Sequence, residues 1–281
     1  MNHIVKELEE LTEKEIEEIK KNPDKVNWFY ISYYKKLSEE LIREFSDKIN
    51  WDDISYFQDL SEEFIREFSD KVNWESVSEC QELSEGFIRE FSDKVNWDQI
   101  SMHQELSEGF IREFSDKVAW YETSYCQKLS EGFIREFSNK VSWVDIFEYQ
   151  NLSEGFIREF SDKVDWFLVS ENQTLSEGFM REFFDKIEWD QISEYQELSE
   201  GFIREFSDKV DWYFVSKCQK LSEEFILEFY NKIKWNALNE TNKINKGIFE
   251  KMNRGQRLYM IMNYREIWNK HEIWSKHERA K

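Results

Sequence analysis

Side chains able to do nucleophilic, acid–base or metal chemistry are scarce or monotonous in this sequence. Among 281 residues there are four His and three Cys. His271 and His277 stand six residues apart, without i, i+4 spacing or a companion Cys or carboxylate motif, so no metal site is expected. The carboxylates recur at equivalent places instead of converging on one locus. There is no glycine-rich phosphate loop, no His-Glu-x-x-His and no Ser/His/Asp set. Catalysis therefore finds no distinct site, and neither enzymatic activity nor a cofactor is expected.

What the composition offers is contact surface. The chain is 17% aromatic and 35% charged, with 24 Phe, 12 Trp, 12 Tyr, one Pro and a net charge of −21. That much aromatic area can bury a sizeable core, which argues against disorder despite the charge excess. Its arrangement is periodic. Trp28, Trp51, Trp74, Trp97, Trp120, Trp143, Trp166, Trp189, Trp212 and Trp235 follow one another at a constant spacing of 23 residues. A fixed period of this length marks stacked supersecondary units.

Each copy reads as two short helices. In the fourth, Ser107 to Val118 predicts the second: Ser107 is the N-cap, and Leu106 is placed to staple to Ile111. Phe110, Ile111, Phe114 and Val118 share a face, while Glu108/Arg112 and Glu113/Lys117 are i, i+4 pairs. The first helix, Trp97 to Gln104, is capped from the preceding residue, as Asn96, Ser142 and Asp165 can do in their copies. Trp97, Ile100, Ser101 and Gln104 lie on one face. A strand reading fails, because the apolar spacing is not two and Gly/Pro turn clusters are missing. The expected fold is all-α: an α-solenoid (superhelix) of stacked 23-residue helical hairpins with degenerate caps.

Three regions follow: 1–27 as an N-terminal cap hairpin, 28–235 as the tandem copies, and 236–281 as a degenerate repeat with a basic C-terminal cap. Thr12 to Glu15 predicts a capping box, with a second-helix equivalent from Leu11 to Val26 lengthened around Pro23. At the other end Leu258, Ile261 and Ile267 continue the register in place of the usual Trp, Ile and Leu. Apolar runs are far too short to span a membrane, and the acidic N-terminus does not read as a signal peptide. Cys80, Cys126 and Cys218 each lie six residues after a repeat Trp and are two or four copies apart, which at about 10 Å per helix is too far for disulfides. Small, partly buried thiols in a reducing cytoplasmic setting are the expectation.

The unit Trp-Asp-x-Ile-Ser-x-Tyr-Gln-x-Leu-Ser-Glu-x-Phe-Ile-Arg-Glu-Phe-x-Asp-Lys-Val-Asn resembles a short tandem repeat of hypothetical proteins of giant viruses, phages and some bacteria. The resemblance covers residues 28 to 235 and leaves the tails outside. It implies viral or phage ancestry, and no particular activity.

Positions that vary between otherwise alike copies are the candidates for a partner. In the first helix the residues one, two, five, six and eight after the Trp vary. They include Phe29, Tyr30, Tyr33 and Tyr34 in the first copy, Asp52 and Asp53 in the second, Tyr121 and Tyr125 in the fifth, Phe167 and Leu168 in the seventh, and Tyr213 and Phe214 in the ninth. Carboxylates such as Glu75, Asp98 and Asp145 occupy the same places elsewhere. Aromatics interleaved with carboxylates suit a protein interface; the alternative is that the rings fill gaps between neighbouring hairpins. The nearly invariant Ser and the Gln on the Trp face predict a ladder of buried hydrogen bonds between copies. Six interior copies place Gly after Ser-Glu, from Gly86 to Gly201, which means either close approach of a partner or neighbouring backbone, or recent duplication.

Charge separates along the chain. Residues 236–281 carry a net +5, and residues 1–235 a net −26. Arg254, Arg257, Arg265, Lys270 and Lys276 form a candidate basic patch for nucleic acid or an acidic surface, or simply belong to a cap. The acidic body disfavours direct nucleic-acid binding and points to a protein partner, with no role for a membrane. A second expectation is an acidic inhibitor that occupies a nucleic-acid-binding site of a defence (CRISPR-type) complex. Its net charge of about one per ~4 Å is sparser than the one per ~1.7 Å of B-DNA, so the mimicry is partial.

Overall fold

A computed structural model describes residues 8–241 and 243–270. Each copy is a pair of helices, as in Trp97–His103 and Glu108–Glu113 of the fourth. The first begins where Asn96 Oδ1 accepts from the Asp98 and Gln99 amides. Asp165 and Asp211 cap in the same way, whereas Ala119, Glu188 and Lys234 make no side-chain cap bond. The second begins at Ser107, whose Oγ accepts from the Phe110 amide at 3.2 Å.

That second helix is shorter than its sequence suggests. It ends at Glu113, and Phe114 leaves helical geometry with φ −108° and ψ 29°. The Lys117 and Val118 amides then both donate to the Phe114 carbonyl, so a tight turn carries Val118 into the core. Ser115 and Asp116 favour turns over helix interiors, and the turn sends Lys117 backwards. Its ammonium meets the Ser92 carbonyl at 3.0 Å and Asp93 at 2.7 Å in the preceding copy, so the expected pair with Glu113 is not made.

Packing is carried by a Trp between two Phe. The Trp97 ring lies 6.2 Å from Phe110 and 5.0 Å from Phe114 between centroids, and its indole N–H donates to the Ser92 carbonyl. Phe110, Ile111, Ile100 and Ser101 are buried. Within each compact unit, first helices of successive copies stack directly on one another.

Two polar ladders join the copies. Gln104 Nε2 donates to the carbonyls of Ser78 (3.1 Å) and Gln81 (2.8 Å), and its Oε1 accepts from the Leu83 amide (3.0 Å). Gln58, Gln81, Gln173, Gln196 and Gln219 donate in the same way. The Ser of the same face accepts the backbone N–H just before the next Trp, as Ser78 Oγ does from Asn96. The expected buried ladder is present. The second ladder joins the second helices: Arg112 pairs with Glu136 of the next copy at 2.8 Å, and Glu108 Oε1 accepts the Ser130 amide. Some i, i+4 pairs form beside it, at 3.3–3.5 Å, as between Arg181 and Glu177.

The chain divides into two compact units, Met1–Ser142 and Trp143–Lys281. In the N-terminal unit the capping box is present: Glu15 accepts from the Thr12 amide, and Thr12 Oγ1 from the Glu15 amide. Helix Glu13–Lys21 and a 3₁₀ turn at Pro23–Lys25 follow. Lys35 occupies the place of the ladder Gln. Its backbone joins a two-residue parallel bridge, Glu9–Glu10 against Lys35–Lys36, and its ammonium reaches Glu9 (3.0 Å) and Glu15 (3.1 Å).

In the C-terminal unit the register holds through Asn245, which caps Lys246–Lys251, and the buried Ile248. It then breaks. Leu258 and Ile261 are exposed, while Met260 is buried within helix Arg254–Asn263, so Leu258 does not replace the repeat Trp; Ile267 is buried as expected. Lys243 closes the Gln ladder, its ammonium donating to the carbonyls of Gln219 (2.9 Å), Ser216 and Lys217. Partial burial holds its pKa below the ordinary lysine value.

Candidate protein-binding face of the first helices

With Trp, the residues three and four after it, and the Gln turned inward, helical geometry leaves positions one, two, five and six on the outward side. Phe29 is 61% exposed, Tyr30 44%, Tyr34 40% and Tyr121 63%. Tyr125, Phe167 and Tyr213 are also exposed, as is Asp52. Tyr33, Asp53, Leu168 and Phe214 are half-buried. Asp145, grouped with the outward carboxylates by its position, is buried.

The first two copies hold one aromatic cluster. Tyr30 stacks on Tyr34 at 4.9 Å, Phe29 on Tyr33 at 6.2 Å, and Tyr33 meets Tyr34 edge-on at 4.6 Å. Tyr33 also packs on Phe57 of the second copy at 4.7 Å, and Tyr56 on Phe57. Filling between hairpins and outward display thus coexist: Tyr33 and Phe57 form the floor, and Phe29, Tyr30, Tyr34 and Tyr56 the surface. Tyr56, Phe57, Tyr149 and Tyr195 had the same signal in their register positions, five and six after the Trp, and complete the set.

Charge differs between the two helix layers. In the second-helix layer Arg89 grips Glu113 through Nε and the terminal nitrogen (2.8 and 2.7 Å) and holds its carboxyl below the ordinary value. Arg112 does the same to Glu136. In the first-helix layer, residues 51–60, 74–83 and 97–106 carry eight Asp or Glu and no Lys or Arg. Asp52, Glu75 and Asp98 are exposed there, and Asn73 Nδ2 donates to Asp52 at 2.8 Å.

None of the three cysteines is in a disulfide. Cys80 is half-buried, and burial with Glu79 nearby pushes it up to about 11; Cys126 and Cys218 are exposed, not partly buried as expected. Among the described residues no group of three His, Cys, Asp or Glu is placed to hold a metal ion. No described helix is long and apolar enough to cross a membrane.

Arg265 and Lys270 line one shallow cleft with Asn236, Asn239 and Glu266. Arg254 and Arg257 lie on helix Arg254–Asn263, outside it, and Arg257 is engaged with the Met252 and Glu250 carbonyls. Lys276, His271 and His277 lie outside the described residues.

Comparisons with family models, with curated proteins and with solved structures each return no match.

The Gly run makes no close approach. A Cβ at Gly86, Gly109, Gly132, Gly155, Gly178 or Gly201 would meet only the N-cap Ser Oγ, at 3.6–3.8 Å, an ordinary contact. No packing demand for Gly exists within the chain at these places, which removes close approach of neighbouring backbone and leaves approach of a partner or duplication of a parent copy.

Proposed function

We propose that this chain is a non-enzymatic, protein-binding α-solenoid that engages its partner through the outward face of its first helices. The observation carrying this is the exposed ring cluster Phe29, Tyr30, Tyr34 and Tyr56, supported from below by Tyr33 and Phe57. Exposed rings set against a fixed floor supply contact area at small entropic cost. Variation between copies concentrates on that face while the inward residues repeat, as expected where one scaffold is kept and its surface is specialised.

A reducing cytoplasmic setting fits three cysteines outside disulfides, and viral or phage ancestry rests on the repeat alone. The acidic-inhibitor reading draws less support from the charge distribution. Much of the carboxylate on the second helices is held by Arg within the ladder, so a nucleic-acid-like charge would have to come from the first helices.

The test is affinity capture from host lysate, with identification of the partner, followed by titration of that purified partner against a Tyr30→Ala/Tyr33→Ala/Tyr34→Ala variant. At least about tenfold weaker binding, with unchanged far-ultraviolet circular dichroism, is expected. Equal binding by the folded variant would refute the assignment of this face.

A further inference from the structure

Resting on that reading, we infer that the partner lays on the N-terminal unit a polyproline II segment carrying Lys or Arg at every third residue. The position directly after the Trp forms a row across stacked first helices: Phe29, Asp52, Glu75, Asp98, Tyr121. All five are exposed. Three carboxylates are thus bracketed by the two most open rings of the face. A cation can pair with each carboxylate and lie over each ring.

The charge of this row is not simply the composition of the repeat. In the C-terminal unit the same position holds Val144, Phe167, Asp190 and Tyr213, a single carboxylate, although the second helices of both units are nearly alike. No Lys or Arg of the first helices or their following loops in copies two to four competes for the three carboxylates.

Spacing selects the conformation of the occupant. Stacked helices lie about 8–10 Å apart. A polyproline II helix turns once in three residues and rises about 9.3 Å in doing so, which returns every third side chain to the same face at the step of the row. An extended β-strand covers a similar distance in three residues but alternates faces. An α-helix needs about 27 residues to run the roughly 40 Å from Phe29 to Tyr121, against about 13 for polyproline II. The flanking rings suit such a segment, whose ordering cost is low.

The full-length chain is titrated with fluorescent peptides by anisotropy. One consists of five Lys-Pro-Pro units, a second has the same composition with its lysines contiguous, and a third is helical with Lys at heptad spacing. The spaced Lys-Pro-Pro peptide should bind at least about tenfold tighter than either of the others. Asp52→Asn/Glu75→Gln/Asp98→Asn should weaken it about tenfold or more, whereas Glu171→Gln/Glu194→Gln/Glu197→Gln, removing equal charge from the C-terminal unit, should change it less than about twofold. Equal affinity for spaced and contiguous peptides, preference for the helical one, or equal loss in the two charge variants overturns the inference. If the captured partner is lost by the Tyr30/Tyr33/Tyr34 variant and retained by the Asp52/Glu75/Asp98 variant, the face stands and the basic segment falls. Retention by both removes the face itself.

Discussion

Replacing Gln104 by Met tests whether the Gln ladder holds the copies together. Met matches the length of Gln and fills its space, but neither donates nor accepts a strong hydrogen bond. The change strips a partner from the Ser78 and Gln81 carbonyls and from the Leu83 amide. Each buried polar group left without a partner costs about 1–3 kcal/mol, so the three together cost about 3–6 kcal/mol after some relaxation. For a unit of this size, with a urea slope of about 2–3 kcal/mol per M, the unfolding midpoint should fall by about 1–3 M. Circular dichroism gives the midpoint, and hydrogen exchange reports the site: the Leu83 amide, slow in the parent, should exchange fast. A midpoint shift below about 0.3 M together with a still-protected Leu83 would refute the reasoning, because water or a neighbour would then satisfy these groups as well as Gln does.

Three further outcomes follow from the geometry. Ala at all six interior Gly positions meets only Ser Oγ in ordinary contact, so it should stabilise by about 0.4–1 kcal/mol per site near its upper limit and less at a helix start, read as a raised denaturant midpoint. A lowered midpoint would show that these positions are constrained after all. Arg112→Ala breaks a half-exposed pair with Glu136 and a contact of the guanidinium over Phe133 at 5.4 Å, and should lower the denaturant midpoint only slightly, a difference shrinking at high salt. The Glu15 carboxyl, held at about 2 chiefly by the Thr12 backbone amide, then the Thr12 hydroxyl and Lys35, titrates below its ordinary 4.5. Its contribution to the N-terminal cap is therefore present above that ordinary value and is lost as pH falls toward about 2. Thr12→Val removes the hydroxyl but keeps the backbone amide and Lys35, so the Glu15 titration, followed by NMR, should rise only part of the way toward 4.5.

The sequence made the period, the caps and the buried Gln face legible because each rests on local chemistry repeated many times over. Trp97, Ile100, Ser101 and Gln104 announce one helical face whatever lies beyond the hairpin. It did not show where the second helix stops. Phe114 and Val118 keep helical spacing, and only the turn that returns Lys117 to the preceding copy ends the helix early. Pairs between copies were equally hidden: Arg112 has Glu108 one turn away in sequence, but its shorter contact is with Glu136. Register alone misplaced Leu258 and Asp145, since each sits where the repeat pattern itself has changed. Of the outward face, positions were legible and extent was not, because Phe57 becomes the floor of the ring cluster only through its neighbour Tyr33.

Within each unit the ladder Gln side chains reach backwards, as Gln104 does to carbonyls 23 and 26 residues earlier. This gives the stack a polarity. As the chain leaves the ribosome, a newly emerged copy completes the one before it and presents its own open carbonyls toward the exit tunnel. Assembly can therefore keep pace with translation within a unit, one hairpin at a time, and an unfinished chain always carries its open edge at the growing end. In the C-terminal unit the same rung is made by Lys243, whose ammonium arrives on the Gln219 carbonyl, so the ninth copy is completed by a cation where the earlier ones wait for an amide.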